Sequence, residues 1–189
     1  MMTVKQISLS ILLTLFLNSL NAQIIKPVDL WNGTGKFILG SARSVYGSDL
    51  KWIGGDTSGI KKSYGYDYIN PKTGPVFFKN IKYKTIRLYF DERHKLYWIE
   101  LTAVYDQTDS ANSLKKAEED TKNMMLYLKD NLKSKGEEKY NYMTEKFKAL
   151  SYEWKKQNNI ITFSVLEGKT PEHEFVNLTI WFSAPLNKQ

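Results

Sequence analysis

Thr85-Ile86-Arg87-Leu88-Tyr89-Phe90-Asp91-Glu92-Arg93-His94-Lys95-Leu96-Tyr97-Trp98-Ile99-Glu100-Leu101-Thr102-Ala103-Val104-Tyr105 decides the fold of this chain. Its first third alternates Ile86, Leu88 and Phe90 with Arg87 and Tyr89, the period of two that a half-buried strand imposes. Asp91-Glu92-Arg93-His94 supplies a turn, and Leu96 to Tyr105 returns as a second strand. Tyr97, Ile99, Leu101 and Ala103 fall on one of its faces, and Trp98, Glu100, Thr102 and Val104 on the other. The period then changes. Leu114, Ala117, Thr121, Met124, Leu128 and Leu132 recur three or four apart, which places them on one face of a helix over about 112–135. Asp109 or Ser110 stands where a cap would start it, and Gly136 sits just past its end. Lys129, Lys133 and Lys135 suit the negative end of its dipole.

Outward from this centre the signals are weaker. Tyr140 to Trp154 fits both periods. A strand from about Lys148 is favoured, because Gln157-Asn158-Asn159 then turns it back into Ile160 to Leu166. A last strand, Glu174 to Ala184, follows the turn at Pro171. Upstream, Lys62 to Tyr68 alternates Tyr64, Tyr66 and Tyr68 with Ser63, Gly65 and Asp67. Phe37 to Tyr46 reads as a short strand running into a short helix from Ser41 to Gly47. The pattern predicts an α+β fold: an antiparallel sheet packed by one long helix, plus a short N-terminal helix. A single domain is expected over 23–189, with an irregular, aromatic part at 23–75 and a sheet–helix part at 76–189. Its core should join the helix stripe to Ile86, Leu88, Phe90, Ile99, Leu101, Phe163, Val165, Leu178, Ile180 and Phe182, each worth about 1.5–3 kcal/mol when buried.

Met1 to Gln23 has the layout of a secretory signal peptide. Lys5 provides the positive start, Ile7 to Leu17 an apolar run, and Asn18-Ser19-Leu20-Asn21-Ala22 a polar, small-residue end. The apolar run is shorter than the roughly 20 residues of a membrane-spanning helix. Cleavage after Ala22 would leave 167 of the 189 residues, with no later stretch apolar enough to span a membrane, and a periplasmic or secreted location. The chain has no cysteine, which excludes disulfides, thiolate metal sites and cysteine nucleophiles. Its formal charge is +7, but only Arg43, Arg87 and Arg93 are arginine and the lysines are scattered. Nucleic-acid recognition favours arginine forks, so a basic solvated surface is the simpler reading and no nucleic-acid partner is expected.

Motifs for catalysis fail one by one. Asn32-Gly33-Thr34-Gly35-Lys36 lacks both the earlier glycine and the following Ser or Thr of a phosphate loop. His173-Glu174 would need a second histidine where Asn177 stands. Ser41 follows Gly40, but Arg43 occupies the later glycine position of a nucleophile elbow. The two histidines, His94 and His173, both fall in turns, and neither a metal nor a cofactor is expected. Asp91, Glu92, Glu100, Glu153 and Glu174 leave open a carboxylate pair converging in space, as in a glycosidase. The feature that stands out is aromatic: Trp52, Tyr64, Tyr66 and Tyr68, with Lys61 and Lys62 beside them. Tyrosine is rigid and amphipathic, so a row of three on one strand face suits contact with protein or sugar. The competing reading is that the rings cover the domain's own core.

Gly40-Ser41-Ala42-Arg43-Ser44-Val45-Tyr46-Gly47, the aromatic strand, and Ile86-Arg87-Leu88-Tyr89-Phe90-Asp91 through Leu96-Tyr97-Trp98-Ile99 resemble one half-module of small envelope proteins. These are the outer-membrane-assembly accessory lipoproteins and the β-lactamase-inhibitor-protein-like fold. The resemblance covers 60 residues, Gly40 to Ile99, and the chain departs from it in lacking a lipid-bearing cysteine and in continuing with a long helix and further strands. The whole also resembles small exported Bacteroidetes proteins of unknown role. The resemblance implies an α+β module and carries over no functional residue. The expectation is an exported, non-enzymatic module that binds a protein or cell-envelope component. An envelope hydrolase built on paired carboxylates and a module for anionic glycan or lipid are the alternatives.

Overall fold

The computed structural model describes residues 28–56, 62–70, 81–110 and 112–185. Lys61 and the whole of the leader-like segment lie outside them. Eight strands form one antiparallel sheet: β1 (Leu50–Gly54), β2 (Ser63–Tyr68), β3 (Thr85–Asp91), β4 (Leu96–Asp106), β5 (Glu137–Met143), β6 (Phe147–Lys156), β7 (Asn159–Lys169) and β8 (Glu174–Ser183). Their order in space is β1-β2-β3-β4-β8-β7-β6-β5. That order reads the same from either edge when β1–β4 are matched with β5–β8. Each half is a four-strand meander preceded by a covering segment, and the long strands β4 and β8 pair at the centre. The sequence shows no internal repeat, yet the topology is a twofold one.

The helix α1 (Ser113–Leu132) precedes the second half. It buries Ala117, Met124, Leu128 and Leu132 as the spacing predicts, but also Asp120, and Leu114 and Thr121 flank the seam. It lies over β4 and β8. Asn112 occupies the N-cap position without a side-chain hydrogen bond, so neither Asp109 nor Ser110 caps it. At the other end Lys133 takes the left-handed conformation at φ 55°, where Gly136 was expected. Gly136 has a different role: a Cβ there would meet the Trp154 indole at 2.6 Å, and its φ is 75°. A small residue lets the chain pass over the ring, whose Nε1 donates to the Ser134 carbonyl at 3.0 Å.

The segment before β1 covers the first half. The expected short N-terminal helix is instead a 3-10 turn at Arg43–Val45, followed by a second at Gly47–Asp49; a third lies upstream at Leu30–Asn32. Gly40 and Gly47 both have positive φ and bracket the region. Six residues between two such breaks are too few to repay helix nucleation. Single bridges at Gly33–Ile38 and Ala42–Lys95 replace the strand expected near Phe37. Phe37 itself is fully buried, and Tyr46 and Leu30 join it in the core.

All ten strand residues expected in the core are buried. One face assignment changes. A register shift between Tyr89 and Phe90 pairs Phe90 with Leu96, so Leu96 points into the core and Tyr97 does not. A bulge of this kind turns every side chain before it to the other face. Tyr140 to Trp154 resolves into strands, β6 from Phe147 and the end of β5; β5 and β1 are strands without a buried alternating pattern in their sequences.

Candidate functional site

Alternation gives the sheet two unlike faces. One, the covered face, carries Leu88, Ile99, Phe182 and Ile161 in a continuous cross-strand row beneath α1 and the N-terminal segment. The tyrosines of β2 belong to this face. Tyr66 stands opposite Leu88 and Tyr64 opposite Phe90. Tyr68 is only 8% exposed and meets Phe37 edge-on at 4.9 Å between ring centres. Its hydroxyl accepts from Lys36 Nζ at 2.6 Å and donates to Asp49 Oδ2 at 3.0 Å. The Tyr66 hydroxyl accepts from the Arg43 guanidinium, which also lies over its ring at 5.5 Å. Tyr64 packs against Trp52 and His94.

The three tyrosines do share one strand face, therefore, and that face looks toward the domain's own core. Trp52 is half exposed at the sheet edge, 5.2 Å from the Tyr66 ring centre. Lys62 is exposed at the start of β2. Of the sequence-based candidates, these two offer open surface, while Tyr68 and Tyr66 hold the N-terminal segment down.

The opposite face has a different chemistry. Tyr89 lies directly across from Trp98, and Trp181 across from Glu100. Asp67, Arg87, Glu100, Trp181 and Thr162 form one cross-strand row. Beside it runs a row of hydroxyls: Thr85, Thr102, Thr179, Ser164 and Ser151. Thr102 and Thr179 hydrogen-bond at 3.1 Å. Tyr89, Trp98 and Trp181 are all partly exposed. Among the described residues, the covering segments of both halves pack on the tyrosine side, and none crosses this side.

Electrostatics knit the open face together. Arg87 bridges Asp67 at 3.3 Å and Glu100 at 3.2 Å. Partial burial works against the guanidinium charge, but Glu100, Tyr89 and Asp67 outweigh it and hold Arg87 above its ordinary pKa. Burial first, then the Glu100 charge, raises the Tyr89 hydroxyl. Trp181 Nε1 donates to Glu100 Oε2 at 3.3 Å, tying the indole to the ion pair. Asn177, two residues along β8 from Thr179, has a buried Oδ1 without a hydrogen-bond partner among the described atoms.

Among the described residues, the carboxylates of Glu137, Glu153 and Asp91 are held by lysines or by backbone amides. Glu137 and Glu153 face each other across β5 and β6, but Lys139 bonds the first and Lys155 the second, at 2.9 Å. The hydrogen bond and charge of Lys139 hold Glu137 below the usual carboxylate range. Asp106 is lowered too, by the backbone and hydroxyl hydrogen bonds of Thr108. Asp91 is buried and spends its carboxylate on the hairpin turn, accepting from the amides of Arg93 and Lys95 at 3.0 and 2.8 Å. Among the described residues no group of three or more His, Cys, Asp or Glu side chains could hold a metal ion, and no helix is long and apolar enough to cross a membrane. His173 contacts Asp106 at 3.5 Å, and His94 sits at the tip of the β3–β4 turn.

Sequence reasoning passed over Trp98 and Trp181, although both lay in assigned strands. The signal available was the pairing of large aromatics with Arg and Glu on the face opposite the aliphatic residues. No protein-family model, curated protein or solved structure matches the chain.

Proposed function

We propose that the protein is an exported, non-enzymatic binding module that presents the uncovered face of its sheet to a protein or another component of the cell envelope. Export rests on the leader-like residues 1–22. The observation that carries the binding reading is the side-by-side placement of Tyr89, Trp98 and Trp181 around the Arg87–Glu100 ion pair, on a face that no described segment crosses. Tryptophan, tyrosine and arginine are the residues that dominate binding energy at interfaces. Here they are pre-arranged, because cross-strand pairing and the Trp181–Glu100 hydrogen bond restrict the rings before a partner arrives. Arg87 is shared by Asp67 and Glu100, so the group keeps a formal charge of −1, which favours a polar or mixed-charge partner surface over a purely anionic one.

Capture from an envelope extract tests the reading. The Trp98→Ala/Trp181→Ala double variant should lose at least tenfold in capture while keeping its circular dichroism spectrum, since a hot-spot residue is worth about 2 kcal/mol or more. A Trp52→Ala/Lys62→Ala variant should lose little. Equal capture by wild type and the tryptophan variant would overturn the proposal. Loss by the Trp52/Lys62 variant alone would move the site to the tyrosine edge. Binding that collapses with salt would favour an anionic glycan or lipid.

A further inference from the structure

The strand β5 differs from every other strand. All seven of its residues are exposed, on both faces, and no described strand pairs with its outer edge. Its first three residues, Glu137-Glu138-Lys139, carry the charges and the register shift that discourage edge pairing. The remaining four, Tyr140-Asn141-Tyr142-Met143, carry no charge. Tyr140 and Tyr142 are 51% and 48% exposed, Met143 is 74% exposed, and Phe147 across the turn is 42% exposed. The two tyrosine rings stack at 6.0 Å with an interplanar angle of 22°. An unprotected half-strand with exposed aromatics is a template for another strand.

We propose that this edge pairs with β5 of a second copy of the chain, antiparallel, about a twofold axis through Asn141. Charge and register both select this occupant. Residues 137–148 hold three glutamates and three lysines, so this hairpin is locally neutral in a chain of net charge +7. Two copies that repel elsewhere can meet here. A twofold axis at Asn141 sets Tyr140 against Tyr142 of the second copy, both on the same sheet face, and Lys139 against Met143. A twofold axis at Tyr140 would oppose Glu138 and Tyr142, which lie on different faces because of the register shift. One at Glu138 would set Glu138 against its own copy and Tyr140 against Gly136 rather than against another ring. The Asn141 axis pairs Tyr140, Asn141 and Tyr142 among themselves and joins two eight-stranded sheets edge to edge. It is separate from Trp98 and Trp181 and does not depend on the binding role given to them.

The absence of cysteine makes the register directly testable. Opposed residues in an antiparallel pair have Cα atoms about 4.5–5.5 Å apart, within disulfide range. Asn141→Cys should therefore oxidise to a covalent dimer at least tenfold faster than Glu137→Cys. Sedimentation of the wild-type chain should show a concentration-dependent dimer, and Asn141→Lys, which opposes two lysines, should be monomeric with an unchanged circular dichroism spectrum. A wild-type chain that stays monomeric at every concentration overturns the proposal. So does a dimer in which Asn141→Cys fails to cross-link faster than Glu137→Cys, because the copies would then meet elsewhere.

Discussion

The two halves of the sheet share a topology and differ in how they are covered. In the first half the segment before β1 lies over the strands, seals Phe37 against Tyr68 and Tyr46 against Phe90, and leaves Tyr64 and Tyr66 only partly exposed. The helix α1, which precedes the second half, lies over the central strands β4 and β8, and all seven residues of β5 stay exposed. The same strand arrangement thus gives a tyrosine-rich region that is largely structural and a tyrosine-bearing edge that is open. Residue type alone does not distinguish Tyr66 from Tyr142; what lies across from it does.

That contrast can be broken at the core first. Phe182→Ala removes a fully buried ring from the row shared by both halves and should cost about 3–5 kcal/mol, seen as a lowered denaturation midpoint with an unchanged slope. Tyr142→Ala, on the exposed edge, should stay within about 0.5 kcal/mol of wild type at concentrations where the chain is monomeric. If both cost the same, β5 is packed in solution by something beyond its own chain. Next comes Gly136→Ala, which forces a left-handed residue and a Cβ into the Trp154 indole. A loss of roughly 1–3 kcal/mol is expected in thermal unfolding.

Alkaline pH probes the helix side of the same comparison. Burial, with Asp120 nearby, raises the Tyr83 and Tyr105 hydroxyls above their ordinary value of 10.0. Tyr105 also donates to Asp120 Oδ2 at 2.6 Å. In the unfolded chain both ionise near 10, whereas in the folded chain they keep their protons. The unfolded state therefore binds fewer protons above pH 10, and stability falls as pH rises through that point. A Tyr105→Phe variant should show a shallower decline in a pH series of chemical denaturation. A small effect is expected for Arg87→Met. Its ion pairs are partly exposed, so about 0.2–1 kcal/mol is lost, while capture by the open face should suffer more.

The sequence revealed elements in proportion to how strongly burial constrained them. The β3–β4 hairpin and α1 were legible because one face of each is packed, which forces a period of two or of 3.6 on Ile86-Leu88-Phe90 and on Ala117-Met124-Leu128. The strand β5 was not, because no residue in Glu137–Met143 is buried and nothing selects alternation. The strand β1 is five residues of mostly exposed side chains with a shift in register. Asp120 was hidden for another reason: its burial depends on Tyr105, fifteen residues away, and on Lys116 at 2.8 Å. The site was legible in part. The alternation of Tyr64, Tyr66 and Tyr68 was readable, but which side of the sheet α1 and the N-terminal segment would cover was not. That choice turned the tyrosines inward and left Trp98 and Trp181 outside.

The central claim is that the uncovered face, rather than the tyrosine face, meets the partner. Hydroxyl-radical footprinting of the chain with and without envelope extract reads this residue by residue. Protection of Tyr89, Trp98 and Trp181, with Trp52 and Tyr64 unchanged, is the predicted result. Protection confined to Trp52 and Tyr64, or to α1, would contradict it.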